Sequence, residues 1–188
     1  MRKFLTLLLV LCLAAMPVLA ETMTYDFGDF TISFSPDANG NIADEITDGA
    51  SFFLIYQDAV AEGQFNANLN IAWSSAYEDL TALAPAETAE TMATASASAL
   101  EGQGVKTANV QVVGASMDEI GGKPALSVVY SMDVDYTGMG LDLQTTLYFA
   151  QGFVSEEALG TYTFTITTTD LATAQPLVDI VNTVQWAQ

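Results

Sequence analysis

The stretch FNANLNIAW, Phe65 to Trp73, alternates apolar and polar side chains as far as Ile71 and keeps the apolar row to Trp73. A period of two is the period of a strand, whose successive side chains point to opposite faces. Phe65, Ala67, Leu69, Ile71 and Trp73 make one row, and Asn66, Asn68 and Asn70 the other. TYTFTITTT repeats the pattern, with Tyr162, Phe164 and Ile166 set against a column of Thr161, Thr163, Thr165, Thr167 and Thr169. Threonine is β-branched and suits a strand face. In ALSVVYSMDVDY the inward set reads Leu126, Val128, Tyr130, Met132, Val134 and Tyr136, leaving Ser127, Ser131, Asp133 and Asp135 outside. Further strands are predicted over residues 30–35, 51–57 and 107–120, and over 141–149 after a turn at Thr137 to Gly140.

Two stretches break the alternation. PAETAETMATASASALEGQG carries Pro85 where a first helical turn accepts it and Gly102 where a helix ends, with Ala89, Met92, Ala93, Ser96 and Leu100 on one face. Such small residues let a helix approach a sheet closely. A second helix is predicted in the run Leu171 to Val184, which follows Thr169 and Asp170 as possible caps and has Leu177, Ile180, Val181 and Val184 at helical spacing. A start near Thr173 keeps Pro176 within the first turn, where its missing N–H costs nothing. Strands, helix, strands, helix is the order of an α+β domain with an antiparallel sheet. No repeat, linker or internal boundary interrupts residues 21–188, which read as a single domain.

The first twenty residues, MRKFLTLLLVLCLAAMPVLA, have the form of a signal peptide: Arg2 and Lys3, an apolar run, and Val18-Leu19-Ala20 before the cut. Leu9-Val10-Leu11 disfavours a lipid anchor on Cys12, because leucine stands where a small residue should precede the lipidated cysteine. No later run approaches the roughly 20 apolar residues of a membrane helix, so no membrane span is expected. The predicted product is secreted, extracellular or periplasmic. Beyond the leader stand two lysines, Lys106 and Lys123, against 23 acidic residues. That balance repels nucleic acid and anionic membranes. It contains neither cysteine nor histidine, so the fold has no disulfide to rely on.

The segment Ile120-Gly-Gly-Lys-Pro-Ala125 has the glycines and lysine of a phosphate-gripping loop. Such a loop needs an earlier glycine where Met117 stands, a Ser or Thr where Pro124 stands, and a helix after it. A strand follows instead. Gly121-Gly122 reads as a tight hairpin turn and Lys123 as a solvated tip.

Taken together, Phe30-x-Ile32-Ser33-Phe34-Ser35, Asn68-x-Asn70-Ile71, the Ile120 to Ala125 turn leading into Val128-Val129-Tyr130, and Tyr162 to Thr168 resemble the PsbP-like superfamily, in its DcrB/LpqN type of secreted domain. The resemblance runs from about Phe30 to Trp186. It implies a central antiparallel sheet of about six or seven strands with flanking helices, an α/β/α sandwich, in proteins that mostly act as accessory or binding factors. No catalytic residue is common to that group, so none is carried over. With two helices assigned, part of one sheet face is expected to stay open where the Asn and Thr columns emerge.

Without histidine and cysteine there is no Ser-His-Asp triad, cysteine nucleophile or ordinary zinc site, and no cofactor is expected. Asp133 and Asp135 would serve a carboxylate-dependent hydrolase of extracellular glycans, but two-residue spacing is also the plain outward face of a strand. The run Asp37 to Asp48 offers oxygen ligands at Asp37, Asn39, Asn41, Glu45 and Asp48, yet Ile42 replaces the required glycine and Asp48 the bidentate glutamate. It reads as an acidic hairpin turn and no metal site is assigned. The remaining candidate is a polar platform of Asn66, Asn68, Asn70, Asp133, Asp135, Gln144, Thr163, Thr165 and Thr167, with Tyr148 placed to stack on a sugar. The expectation is a non-catalytic binding or accessory protein whose partner is an envelope or extracellular protein or polysaccharide. Trp73 and Trp186 are assigned to the core.

Overall fold

The computed structural model describes residues 22–34, 42–47, 50–56 and 65–187. The leader and, of the Asp37 to Asp48 run, residues 37–41 and 48 lie outside the described residues, among them the proposed ligands Asp37, Asn39, Asn41 and Asp48. Among the described residues there are ten strands: β1 (Met23–Asp26), β2 (Phe30–Phe34), β3 (Ile42–Thr47), β4 (Ala50–Tyr56), β5 (Asn68–Ser74), β6 (Lys106–Ile120), β7 (Lys123–Asp135), β8 (Gln144–Glu156), β9 (Gly160–Thr168) and β10 (Gln185–Trp186). Helix α1 (Pro85–Gly102) lies between β5 and β6, and α2 (Gln175–Val181) follows β9 through a 3-10 turn at Leu171–Ala174.

Seven strands form one antiparallel sheet in the order β3-β4-β5-β9-β8-β7-β6, and β1-β2-β10 form a second, smaller one. The architecture is the α+β arrangement expected, with the large sheet at its centre. Strands β1, β3 and β10 are additions to the expected set, and β8 runs to Glu156, well past Phe149. The Gly121-Gly122 turn is a hairpin, with φ of 59° and 80°. Gly121 has a second reason to be glycine: a Cβ there would stand 2.6 Å from the Val184 carbonyl oxygen.

The large sheet is covered on both sides. On one face, α1 packs its Ala89, Ala93 and Ala97 against Leu126, Val128, Tyr130, Met132 and Val134 of β7 and Leu147 of β8. Four-residue spacing stacks these alanines along one stripe, which lets the helix sit close to the strands. On the other face, Phe30, Ile32 and Phe34 of β2, with Leu177 and Ile180 of α2, cover Leu69 and Ile71 of β5 and Tyr162, Phe164 and Ile166 of β9. Phe30 is the hub of this second core, with ring centroids 5.2 Å from Tyr162, 5.6 Å from Phe164 and 5.1 Å from Trp186.

Two cores on one sheet change the reading of the strand faces. The inward rows of β7 and β9 point in opposite directions, because Val128 pairs with Gln151, Gln151 with Thr165, and Thr165 with Asn70. The apolar row of β7 therefore shares its face with the polar row of β9. Ser131, assigned outward, is buried. Alternation also breaks ahead of β5: Phe65 packs with the α1-side core, whereas Ala67 joins the other.

Lys123 is not a solvated tip. Its Nζ lies 2.6 Å from Glu156 Oε2 and 5.4 Å from the centroid of the Trp186 ring. Trp186 in turn donates from Nε1 to the Ile120 carbonyl at 2.8 Å, and Trp73 to the Leu159 carbonyl at 2.7 Å. Both tryptophans belong to the core beneath the small sheet.

Candidate functional site

The face that carries α1 is only partly covered by it. The helix lies over β6 and β7, and the segment leading into it crosses the same face at one end of β9 and β8, with Thr161 Oγ1 donating to the Ala76 carbonyl and the Glu78 N–H to Ser155 Oγ, each at 2.8 Å; beyond that crossing the face continues along β9 and β5. There Asn70 stands beside Thr165, Asn68 beside Thr167 and Ala72 beside Thr163. Asn68, Asn70, Thr163 and Thr165 are half-buried, and Thr167 is buried. Asn68 turns its amide back to donate to the Asn66 carbonyl at 3.1 Å. Asn66 itself precedes the strand.

A line of hydrogen bonds runs across the sheet into this region. Ser96 Oγ on α1 lies 2.7 Å from Tyr130 Oη; Tyr130 donates to Gln151 Oε1 at 3.2 Å; Gln151 Nε2 donates to Thr165 Oγ1 at 3.1 Å. The amide fixes the direction of the line, because its oxygen only accepts and its nitrogen only donates. Ser96 is therefore the donor to Tyr130, and Thr165 Oγ1 accepts a hydrogen bond while keeping its own hydroxyl hydrogen for another acceptor. Burial pushes the Tyr130 phenol above its ordinary pKa, with the Ser96 bond acting against that shift. Phe149 stacks on Tyr130 at 5.1 Å. Phe149 pairs with Thr167 and Phe153 with Thr163, so two half-buried rings border the polar strip on its helix side.

The expected single platform is thus divided. Asn68, Asn70, Thr163, Thr165 and Thr167 come together, but Asp133, Asp135, Gln144 and Tyr148 lie on the opposite face. Their register shows it: Tyr148 pairs with Ser131 and Thr168, and Ala150, two residues on, with Ile166 of the second core. The sequence reading missed Gln151, Tyr130, Phe149 and Phe153. One signal was available in Leu147, Phe149, Gln151 and Phe153, where a glutamine interrupts an apolar row of period two.

On the opposite face, Asp133 and Asp135 border a shallow depression of about 560 Å³. Asp133 accepts from Thr146 Oγ1 and Asn109 Nδ2, each at 2.6 Å. These bonds hold its carboxyl below the usual aspartate value, the Thr146 bond more than the Asn109 bond. Asp135 is held down first by the hydroxyl and backbone N–H of Thr137, with Lys106 at 3.6 Å adding to the effect. A hydrolytic pair needs one carboxyl raised so that it stays protonated near neutral pH. Here both are lowered. Among the described residues no group of three or more acidic side chains is placed to hold a metal ion, and no helix is long and apolar enough to cross a membrane.

Comparison by sequence finds no match to any family model and none to a curated protein. Comparison by structure does. The Ran-binding protein Mog1p of Saccharomyces cerevisiae aligns over 89% of this chain and 96% of its own at 13% identity, with a TM-score of 0.49. The solution structure of cyanobacterial PsbP (CyanoP) from Synechocystis sp. PCC 6803 aligns over 92% of this chain and 96% of its own at 12% identity, with a TM-score of 0.62. The likeness to CyanoP spans nearly the whole of both chains, and the fold of this protein is PsbP-like.

Proposed function

We propose that this chain is a non-catalytic binding or accessory protein of the DcrB/LpqN type, exported from the cell, that holds an envelope or extracellular protein or polysaccharide against the open polar strip of β5, β9 and β8. The observation that carries this reading is the Ser96–Tyr130–Gln151–Thr165 line. It orients the Thr165 hydroxyl before any partner arrives, and a preorganised donor avoids part of the ordering cost of binding. Asn68, Asn70 and Thr163 add amides and a hydroxyl on the same face, with Phe149 and Phe153 supplying apolar borders. The lowered carboxyls of Asp133 and Asp135 speak against the hydrolase alternative.

The test is affinity capture from envelope and medium extracts on the purified protein, beside a variant carrying Asn68→Arg and Thr165→Arg. The expected result is a partner retained by the wild type and lost by the variant at matched salt, both proteins giving the same circular dichroism. A partner held equally by both would move the site off this strip and sink the assignment.

A further inference from the structure

Strand β6 closes one end of the large sheet, and among the described residues no strand pairs with its outer edge. An unpaired edge offers a row of backbone donors and acceptors to any extended chain, and proteins usually blunt it with lysine, proline or bulges. Here the protection is partial. Register shifts fall between Ala108 and Gln111 and between Val112 and Gly114, but Gly114 to Ile120 pairs residue for residue with β7, leaving a regular outer edge there. The strand contains no proline, and its lone lysine, Lys106, is tied to Asp135.

The side chains along this edge are equally unguarded. Of the nine exposed large hydrophobic residues among those described, four stand on β6: Val110, Val112, Val113 and Met117. Acids flank them at both ends. Asp118 and Glu119 follow Met117, while Glu101, hydrogen-bonded to Thr107 at 2.6 Å, and Asp133, paired with Ala108, border the other end. Apolar middle and acidic ends describe the complement: an extended segment with an apolar, β-branched centre and basic termini. A second copy is the poorer occupant, because a chain with 23 acidic and four basic residues repels itself.

We propose that the β6 edge is a strand-addition site for an extended cationic segment of another protein, adding its backbone along Gly114 to Ile120 and its apolar side chains over Val113 and Met117. This mode draws affinity from main-chain hydrogen bonds and specificity from alternate side chains. It is separate from the polar strip of β5, β9 and β8, from which β7 divides it in the sheet order.

Fluorescence anisotropy of a labelled peptide with a Val-Thr-Val-Thr-Val centre and paired lysines at each end tests it on the purified protein. Three controls accompany it: a twin N-methylated at alternate residues, a twin with glutamates for lysines, and the protein variant Val113→Lys with Met117→Lys. Expected are saturable binding, a loss of at least tenfold for the N-methylated twin and the variant, and no binding of the glutamate twin. Equal binding of the N-methylated twin would show charge attraction without a ladder and overturn the proposal. So would failure of the lysine peptide to bind, or a dimer in sedimentation that Val113→Lys with Met117→Lys dissociates, which would give the edge to a second copy. Unchanged thermal melting of the variant separates a lost surface from a lost fold.

Discussion

The phenolic hydroxyl of Tyr162 on β9 donates to Asp29 Oδ2 at 2.6 Å, joining the centre of the large sheet to the turn that feeds β2. Burial raises the Tyr162 pKa first, and the hydrogen bond and negative charge of Asp29 raise it further. Because the folded value lies above the ordinary one of about 10, the stabilisation is complete below that pH and is lost as pH rises toward the folded value. Asp29→Ala should cost about 2 kcal/mol at neutral pH, in the range of a hydrogen bond to a charged group. It should also let Tyr162 ionise at lower pH, which ultraviolet titration of the folded protein measures. Titration of Tyr162 at the same pH in both proteins would contradict the assignment.

Helix α1 sits close to β7 because its contact stripe is alanine. Ala93 is 2% exposed. Ala93→Leu is expected to overpack the interface and cost about 1–3 kcal/mol. Glu90→Ala, on the exposed side of the same helix, should stay within about 0.5 kcal/mol. Urea midpoints of the two variants decide the matter; equal midpoints would mean that the helix is not held by this stripe.

Two glycines with the same backbone sign face different surroundings. Gly122 has φ of 80° and open space where a Cβ would stand, whereas Gly160 has φ of 78° and would place a Cβ 2.2 Å from the Ser74 carbonyl oxygen. Gly122→Ala should cost about 1–2 kcal/mol from conformation alone. Gly160→Ala adds a clash with backbone and should cost about 3 kcal/mol or more. The same unfolding experiment compares them.

Asp133 should titrate below an ordinary aspartate. A carboxyl with a lowered folded pKa stabilises the protein above its unfolded value near 3.9, and that contribution is lost as pH falls through the folded value. Thr146→Val removes the larger of its two supports, so the Asp133 midpoint should rise in that variant, as side-chain carboxyl NMR would record. An unmoved midpoint would show that Thr146 is not the cause.

Much of this fold is legible in the residues, because period two marks β5, β7 and β9 and the Pro85 to Gly102 frame marks α1 to its ends. What a period cannot state is which side of the sheet a row faces. Tyr162-Phe164-Ile166 and Val128-Tyr130-Met132 look alike as apolar rows, yet register sends one to the small sheet and the other to α1. That single ambiguity split the expected platform and hid Gln151, whose role depends on strands paired to either side. Short strands were missed for another reason. β10 is Gln185–Trp186, too short to alternate, and exists because β2 offers it an edge.

That last pairing governs the order in which the molecule can be completed. Thr31 pairs with Gln185 and Phe30 with Trp186, so the small sheet joins residues from opposite ends of the chain. A nascent chain that has delivered β1 and β2 carries them without their β9 partners Tyr162 and Phe164 until late in synthesis, and without the β10 pairing until residue 186 emerges. Contacts so distant in sequence make folding slow. The protein is therefore best suited to finishing its fold after release, and a holding factor that shelters Phe30 and Phe34 in the interval would raise its yield.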